Sequence, residues 1–279
     1  MDISIIIPVF NKIEVIKHCI ELNIRHCSKP RNWIIIDNNS DIDTKNGLLD
    51  LQKYANSVGH TFFIHTEKEN TGVARAWNKG LSMVNTKYVC ILNNDCVMMP
   101  NWDCEMMEKS EYHHLGISTP LVLESEMFNV NYNLNSFLNG RKNWKYLSKK
   151  NAHKIRLGVF TGVVFFGEKS IFDKIGPFDE NFWLSLEEYD YLLRARHLSI
   201  ETGTIGFVTA FHLAGITRKE MKTDGGTANQ RYFEQKWGWN FEKTEQKFPN
   251  KQIRSMQRWL FRHFQILSSI NFSFPLQRN

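Results

Sequence analysis

The sequence predicts an α/β protein with a doubly wound, mostly parallel sheet of the Rossmann-like type. Short apolar runs recur along the first 95 residues, and amphipathic stretches of about a dozen residues separate them. This alternation is typical of βαβ units, whose right-handed crossovers build an open parallel sheet. The composition agrees, because a chain of 279 residues with 42% hydrophobic and 23% charged residues is ordinary for a globular fold.

The first half of the chain supplies four predicted strands with a helix between each successive pair. Residues 3–9 form a continuous apolar run with β-branched bias, as expected for a strand buried on both faces. Asn11 and Glu14 then match a capping-box pattern ahead of isoleucines at helical spacing. The later predicted elements are, in order, a strand at 33–37, a helix at 44–56, a strand at 61–65, a helix at 73–84 and a strand at 88–92.

The regular alternation of predicted strands and helices ends after Pro100. Residues 124–156 are rich in Asn, Lys and aromatic residues without a clear period, and they predict an insertion or long loop. Beyond it we predict a strand at 157–167 interrupted by Thr161-Gly162, a helix at 185–197, a strand at 203–208 and helices at about 227–237 and 250–267. The chain thus divides into a main domain, residues 1–217, and a basic helical C-terminal extension, residues 218–279.

Cysteine usage and hydropathy exclude several classes of protein. The five cysteines are odd in number and lack a Cys-x-x-Cys pair, so neither a disulfide framework nor a zinc site is indicated. The sequence has no run of 18 uncharged apolar residues, and its first residues have no basic flank before the apolar run. We therefore expect a reduced, cytoplasmic protein without a membrane span.

Positive charge is concentrated in two regions. The net charge is +6, and residues 218–279 hold 12 basic and 5 acidic residues, a net +7, so the rest of the chain sums to −1. The second cluster carries no acidic residue and comprises Arg141, Lys142, Lys145, Lys149, Lys150, Lys154 and Arg156. Arginines at four-residue spacing, Arg254, Arg258 and Arg262, form one face of the last predicted helix. Three roles fit that face: it packs on the main domain, lies on an anionic membrane, or binds a nucleic acid or other polyanion.

Polar residues follow four successive predicted strands, at the edge where open parallel sheets bind ligands. These strand ends are residues 8–11, 37–40, 70–72 and 93–95, and they present Asn and Asp side chains suited to a base, a ribose or a metal-bound diphosphate. The alternative is that Asn, Asp and Gly only form turns there. Gly72 also opens a helix whose free backbone donors, with Arg75, suit an anion. Neither Gly-x-Gly-x-x-Gly nor Gly-Lys-Ser/Thr occurs, so a dehydrogenase or P-loop kinase is not expected.

The order of these motifs resembles the inverting family 2 glycosyltransferases of GT-A fold, over roughly residues 3–215. The rhamnosyltransferase-like and galactofuranosyltransferase-like branches of this family contain a similar Leu-Asn-x-Asp motif. The matching motifs are Pro8-Val9-Phe10-Asn11, Asp37-Asn38-Asn39-Ser40, Asn70-x-Gly72 to Asn78-x-Gly80, Leu92-Asn93-Asn94-Asp95, Phe178-Asp179-Glu180, Glu187-Glu188-Tyr189-Asp190 and His212. The resemblance implies a nucleotide-binding half, residues 1–95, and an acceptor half, residues 96–217.

The resemblance also implies a divalent cation, Mn²⁺ or Mg²⁺. The family's Asp-x-Asp matches Asn93-Asn94-Asp95, so Asp95 is the implied metal ligand, and His212 matches a late ligand His. Asn93 replaces the first carboxylate and offers an amide to ribose or phosphate. One carboxylate and one imidazole suffice for a cation that keeps waters and diphosphate oxygens.

Catalytic and binding roles follow in the same way. The base position matches Glu188, with Glu187 and Asp190 as alternatives, although an acidic residue at a helix start is also explained by the helix dipole. The implied nucleotide-sugar contacts are Pro8, Phe10, Asn11, Asp37, Asn39, Asn70, Gly72, Arg75, Asn78, Asn93, Asn94 and Asp95. The implied acceptor or sugar pocket comprises Thr161, Gly162, Trp183 and Glu187. Trp183 stacks on a sugar ring or, alternatively, is a core aromatic residue.

The implied function is transfer from a nucleoside-diphosphate sugar, UDP before dTDP, to a hydroxyl of a saccharide or lipid-linked saccharide. Two alternatives stay open. The basic regions suit a nucleic-acid acceptor, such as a modified base, and the C-terminal helix suits peripheral contact with an anionic membrane. The missing first carboxylate and the Glu in place of Asp as base suit a non-catalytic sugar-nucleotide or polyanion-binding protein.

Overall fold

A mixed sheet organises the computed structural model, which describes residues 2–124, 155–183, 185–213 and 225–238. Within these ranges the sheet has nine strands. They are β1 Ile3–Val9, β2 Asn32–Asp37, β3 Thr61–Thr66, β4 Tyr88–Leu92, β5 Cys96–Met98, β6 Ile117–Glu124, β7 Ile155–Leu157, β8 Val164–Glu168 and β9 Thr202–His212. The helices are α1 Ile13–His26, α2 Ile42–Ser57, α3 Val73–Ser82, α4 Trp102–Tyr112, α5 Lys169–Ile175, α6 Glu187–His197 and α7 Gly225–Trp237.

The first four strands form the predicted parallel half of the sheet, in the order β3-β2-β1-β4. β1 pairs in parallel with β2 and β4, and β2 pairs in parallel with β3. The crossover helices α1, α2 and α3 connect these strands. All four ends that carry the predicted site residues therefore lie at one edge, and the α/β fold class is confirmed.

The second half of the sheet is mixed. β8 runs antiparallel to β4, and beyond it the order is β6-β9-β5, with β6 and β9 parallel to each other. The strand predicted at 157–167 with an interruption at Thr161-Gly162 is two separate strands, because β7 ends at Leu157 and pairs with β9, whereas β8 begins at Val164 and pairs with β4. Gly158 has φ +121°, a conformation that ends the extended run between them. β5, α4, β6 and α5 were not predicted.

Helices cover both faces of the sheet. On β1, Ile5 and Ile7 face a core completed by α1, α2 and α4, while Ile6 faces the core beneath α3, α5 and α6. Phe233 of α7 belongs to the second core. Strands buried on both faces explain the continuous apolar runs in the sequence.

The capping box predicted for α1 is wrong. Lys12 occupies the N-cap position in a left-handed conformation, φ 64°, and no side chain caps the helix. Asn11 instead joins two strand ends: its backbone N–H donates to Ser40 Oγ at 2.9 Å and its Oδ1 accepts from the Asp41 N–H at 2.8 Å. α2 has the conventional cap, since Asp41 accepts from the Thr44 N–H at 2.8 Å.

Several predictions fall on residues outside the described ranges. They are nearly all of the insertion 124–156 with its basic residues up to Lys154, the segment before α7, and the helix predicted at 250–267. The domain boundary at 217/218 stays a prediction. Among the described residues, no helix is both long enough and apolar enough to cross a bilayer. All five cysteines are free thiols.

Candidate active site

Asp37 is the last residue of β2, and among the described residues one of its two carboxylate oxygens has no hydrogen-bond donor. Its side chain is fully buried, and Oδ1 accepts from the Ser40 N–H at 2.9 Å. Within the described part of the chain, no group donates a hydrogen bond to the buried Oδ2. A buried carboxylate oxygen without a donor favours a ligand that brings an N–H or O–H. Asn39 is exposed and its Oδ1 accepts from Lys45 at 3.2 Å.

Gly72 forms a close contact between the start of α3 and Trp183. Its φ is +82°, and a Cβ there would lie 3.2 Å from both Cε3 and the carbonyl oxygen of Trp183. The loop is fixed from within, because Asn70 Oδ1 accepts from the Gly72 N–H at 3.0 Å and Asn38 Nδ2 donates to the Gly72 carbonyl at 3.2 Å. Trp183 is 38% exposed, so the alternative of a core aromatic residue is wrong.

Asn78 and Arg75 both contact the segment 178–180. Asn78 accepts from the Phe178 N–H at 2.8 Å and donates to the Phe178 carbonyl at 2.9 Å. Its amide also donates to Glu180 at 3.0 Å, and Arg75 Nε lies 3.0 Å from the Glu180 carboxylate. Both the oxygen and the nitrogen of the Asn78 amide thus form hydrogen bonds within the protein. The structure therefore supports a structural role for Asn78 and gives no support to its predicted contact with the nucleotide sugar.

Asp95 and His212 lie side by side at the carboxyl ends of β4 and β9. Asp95 Oδ1 is 3.1 Å from His212 Nε2, and both side chains are about nine-tenths buried. Cys96 pairs with His212 in the β5–β9 ladder, and the Leu213 N–H donates to the Asp95 carbonyl at 2.9 Å. The antiparallel ladder thus brings together the two residues predicted to bind a metal.

This pair fits a divalent cation that takes few protein ligands. A carboxylate oxygen and an imidazole nitrogen are donors that Mn²⁺ accepts, and a Mg²⁺ site likewise needs only one or two carboxylates beside waters and phosphates. In the described ranges no group of three His, Cys, Asp or Glu side chains forms a closed metal site. A cation held by this pair alone would leave coordination positions for water and phosphate oxygens.

Glu188 packs against the Thr161-Gly162 turn. A Cβ on Gly162 would lie 2.8 Å from the Glu188 Cβ, so the glycine allows the two segments to touch. Gly162 precedes β8, whose first residue pairs with the last residue of β4, so this contact lies at the same sheet edge as Asp95. Glu187 is 6% exposed, whereas Glu188 is half-buried as a residue, although its Oε2 is buried like that of Glu187.

Asp190, an alternative to Glu188 as base, has a structural role instead. It is fully buried and accepts from Arg194 Nε at 2.9 Å and Trp237 Nε1 at 3.0 Å, and Lys236 Nζ lies at 2.6 Å. Lys236 and Trp237 hold α7 against α6, whereas Arg194 lies on α6 itself. The structure does not support Asp190 as a base, since both carboxylate oxygens are occupied.

Lys236 pairs with two carboxylates, of Asp190 and Asp179. Burial by itself raises the pKa of Asp179, but hydrogen bonds from Lys236, the Asn181 N–H and Tyr232 outweigh burial and hold the pKa at about 2. Burial lowers the pKa of Lys236, but its hydrogen bonds to the two carboxylates prevail and raise it above its usual value.

We expect Lys236→Met to destabilise the protein by about 2 kcal/mol at neutral pH, below the range for fully buried pairs because Lys236 is partly exposed. The stability contributed by Asp179 is present above its unfolded pKa near 3.8 and is lost as the pH falls through about 2. The difference between variant and unchanged chain should therefore shrink between pH 4 and pH 2 in urea unfolding. Lys174→Met, on the exposed side of α5, is the control, and a difference independent of pH over this window contradicts the ion-pair account.

The other predicted residues lie at the same edge. Pro8, Phe10, Asn94 and Thr161 are partly buried at the ends of β1 and β4 and before β8. Asn38, which is buried and braces Gly72, was not singled out, although it lies within the Asp37–Ser40 motif. Asn229 of α7, which contacts the segment before α6, had no signal in the sequence.

Comparisons with known proteins agree with this fold. The family described as Glycosyl transferase family 2 matches residues 4–176, more than half of the chain. No curated protein sequence matches. Similar solved structures include GalNAc-T7 with UDP, GalNAc and Mn²⁺, at 12% identity and TM-score 0.64, covering 96% of this chain and 57% of that one.

Two other structures are comparable. The mannosyltransferase PcManGT from Pyrobaculum calidifontis, in complex with GDP-Man and Mn²⁺, has 14% identity and TM-score 0.59, and the match covers 77% of this chain and 57% of that one. S. aureus TarS 1-349 in complex with UDP-GlcNAc has 14% identity and TM-score 0.57, covering 80% and 62%. The chain thus spans about three-fifths of the length of these proteins, and the likeness establishes a shared fold.

Proposed function

Because the chain belongs to glycosyl transferase family 2, we propose that it transfers a sugar from a nucleoside-diphosphate sugar to an acceptor hydroxyl. The observation that carries the proposal is the Asp95–His212 pair, 3.1 Å apart at the carboxyl edge of the sheet. This is the edge where open α/β sheets bind nucleotides. Asp37 ends β2 at this edge, and Glu188 contacts Gly162, which precedes β8 at the same edge.

We favour UDP as the nucleotide and dTDP next. Uracil and thymine each present an imide N–H, and the buried Oδ2 of Asp37 offers an acceptor to such a group. UDP and UDP-GlcNAc are bound in two of the similar structures, and GDP-Man in the third. The rhamnosyl- or galactofuranosyl-like branch remains a proposal based on Leu92-Asn93-Asn94-Asp95.

Asp95 and His212 would hold the divalent cation, Mn²⁺ or Mg²⁺, which stabilises negative charge on the diphosphate leaving group. Glu188 accepts the proton of the acceptor hydroxyl as its oxygen bonds to the anomeric carbon. The bond from that carbon to the diphosphate oxygen breaks on the opposite face, so the configuration inverts. Trp183, exposed beside Gly72, offers an apolar ring to a sugar face.

We infer that the acceptor is a saccharide or lipid-linked saccharide. This inference is by analogy with the family. The nucleic-acid acceptor and the contact with an anionic membrane depend on basic residues that, apart from Arg156 and those of α7, lie outside the described ranges.

A binding and turnover experiment tests the function. We expect UDP-sugars at about 100 times their Kd to raise the unfolding temperature by about 5 °C in the presence of Mn²⁺, since ligands of the native state stabilise it. UDP released from the same donors by slow hydrolysis measures turnover. Mn²⁺ alone and adenosine monophosphate are the controls. Binding without any turnover favours the non-catalytic alternative, and no shift with UDP-, dTDP- or GDP-sugars contradicts the proposal.

A further inference from the structure

We propose that Asn229, on α7, is a positioning residue for the carboxylate of Glu188. The proposal rests on the proposed function, in which Glu188 is the base. It extends the catalytic machinery to a helix beyond residues 4–176, the part of the chain matched by the family.

Asn229 holds the segment that leads into α6. Its Oδ1 accepts from the Trp183 N–H at 3.4 Å, and its Nδ2 donates to the Ser185 carbonyl at 2.9 Å. The side chain is 3% exposed, so these bonds form away from competing water. A single amide thus fixes two backbone groups that are two residues apart. Replacing it leaves the partly buried Ser185 carbonyl without this donor, which is costly.

The segment held by Asn229 leads into a strained helix start. Leu186 is the N-cap of α6 with φ 73° and ψ −7°, and no side chain caps the helix. A left-handed leucine is unfavourable and persists only where its surroundings enforce it. Glu187 and Glu188 follow directly, so the direction in which α6 begins sets where the Glu188 carboxylate lies. The Asn229 clamp is one of the contacts that enforce this conformation.

α7 is itself anchored to the body of α6. Near its C-terminal end, Lys236 and Trp237 contact Asp190 of α6, and Tyr232 donates to Asp179 at 2.9 Å. Asn229, about two turns earlier, reaches the segment before the same helix. Asn229 thus attaches the segment before α6 to α7, and Lys236 and Trp237 attach the first turn of α6 to the same helix. On its other side Glu188 meets Gly162, so a small shift of the helix start changes the contact that orients the base.

A double-mutant cycle with Glu188→Gln tests the proposal. The assay is Mn²⁺-dependent UDP release from a UDP-sugar, with UDP affinity measured by calorimetry. We expect Asn229→Ala to lower kcat about tenfold or more, because misplacing a catalytic group by about 1 Å can be that costly. UDP affinity should stay within about twofold. In the Glu188→Gln background the same change should lower kcat by less than about twofold, since the two act as a unit.

Asn229→Asp and Gln235→Ala complete the design. Asn229→Asp keeps the acceptor for Trp183 and loses the donor to Ser185, so we expect an intermediate kcat. It also replaces the alanine variant in the cycle if that variant does not fold by circular dichroism. Gln235 is exposed on the same helix, and Gln235→Ala should leave kcat unchanged.

The outcomes separate this inference from the function on which it rests. An equal loss of kcat in both backgrounds, or an unchanged kcat in Asn229→Ala, overturns the positioning role while leaving the transferase standing. A Glu188→Gln variant with full turnover overturns the base assignment and the positioning role with it. An unchanged chain that neither binds nor hydrolyses any of the donors overturns the proposed function as well.

Discussion

Glu188→Gln is expected to lower kcat about 1000-fold, in the middle of the range for loss of a general base. The amide is nearly isosteric with the carboxylate, so the packing against Gly162 should persist. It cannot take the proton of an attacking hydroxyl, and the barrier to transfer rises. Nucleotide affinity should stay within about twofold, because the Asp37 and Asp95 regions are unaltered. Donor hydrolysis and calorimetric titration with UDP measure the two effects.

Two matched variants sharpen this expectation. Glu187→Gln removes the neighbouring, more deeply buried carboxylate and should reduce kcat far less. Glu201→Gln alters an exposed glutamate outside the site and should have no effect. If Glu187→Gln instead causes the large loss and Glu188→Gln does not, the base is Glu187.

The second large effect is expected for Asp95→Asn. At a Mn²⁺ concentration that saturates the unchanged chain, we expect this variant to lose about 100-fold in kcat/KM. Asp95 supplies the carboxylate beside His212, and an asparagine keeps the shape but removes the charge that attracts a divalent cation. We expect the Mn²⁺ concentration for half-maximal activity to rise at least tenfold, comparable to other changes that weaken metal sites.

A Mn²⁺ titration of donor hydrolysis measures this expectation, and calorimetric titration with UDP, with and without Mn²⁺, separates cation binding from nucleotide binding. Asp43→Asn, on the exposed first turn of α2, controls for the loss of one negative charge. An unchanged Mn²⁺ dependence in Asp95→Asn contradicts the assignment of Asp95 as a metal ligand.

The parallel half of the fold was predictable because β1, β2 and β4 are buried on both faces and an amphipathic helix separates each strand from the next. The mixed half was not. β5 has only three residues, too few for a recognisable pattern. β6 contains Pro120, and a proline inside an apolar run argues against a central strand. Thr161-Gly162 indicates the interruption between β7 and β8, but no local pattern encodes their pairing with two different strands.

The positions of candidate site residues were predictable where a strand end sets them, as at Asp37 and Asp95. It was not predictable where a residue's partner comes from a distant segment. Asp190 has the same local pattern as a base but is engaged by Lys236 and Trp237. Asn78 likewise binds the backbone of Phe178. Side chains of this kind take their roles from tertiary neighbours, which periodicity and spacing do not reveal.

The β9 strand has a consequence for how the protein is made. It lies between β6 and β5 and carries His212, so β5 has no partner in the described sheet until β9 is in place. During synthesis the parallel half emerges first, whereas the Asp95–His212 pair forms only after residue 212 has left the ribosome. A nascent chain stalled before that point can assemble the four parallel strands, yet it lacks one of the two residues of the proposed cation site. Acquisition of Mn²⁺ dependence should therefore be a late event in biogenesis.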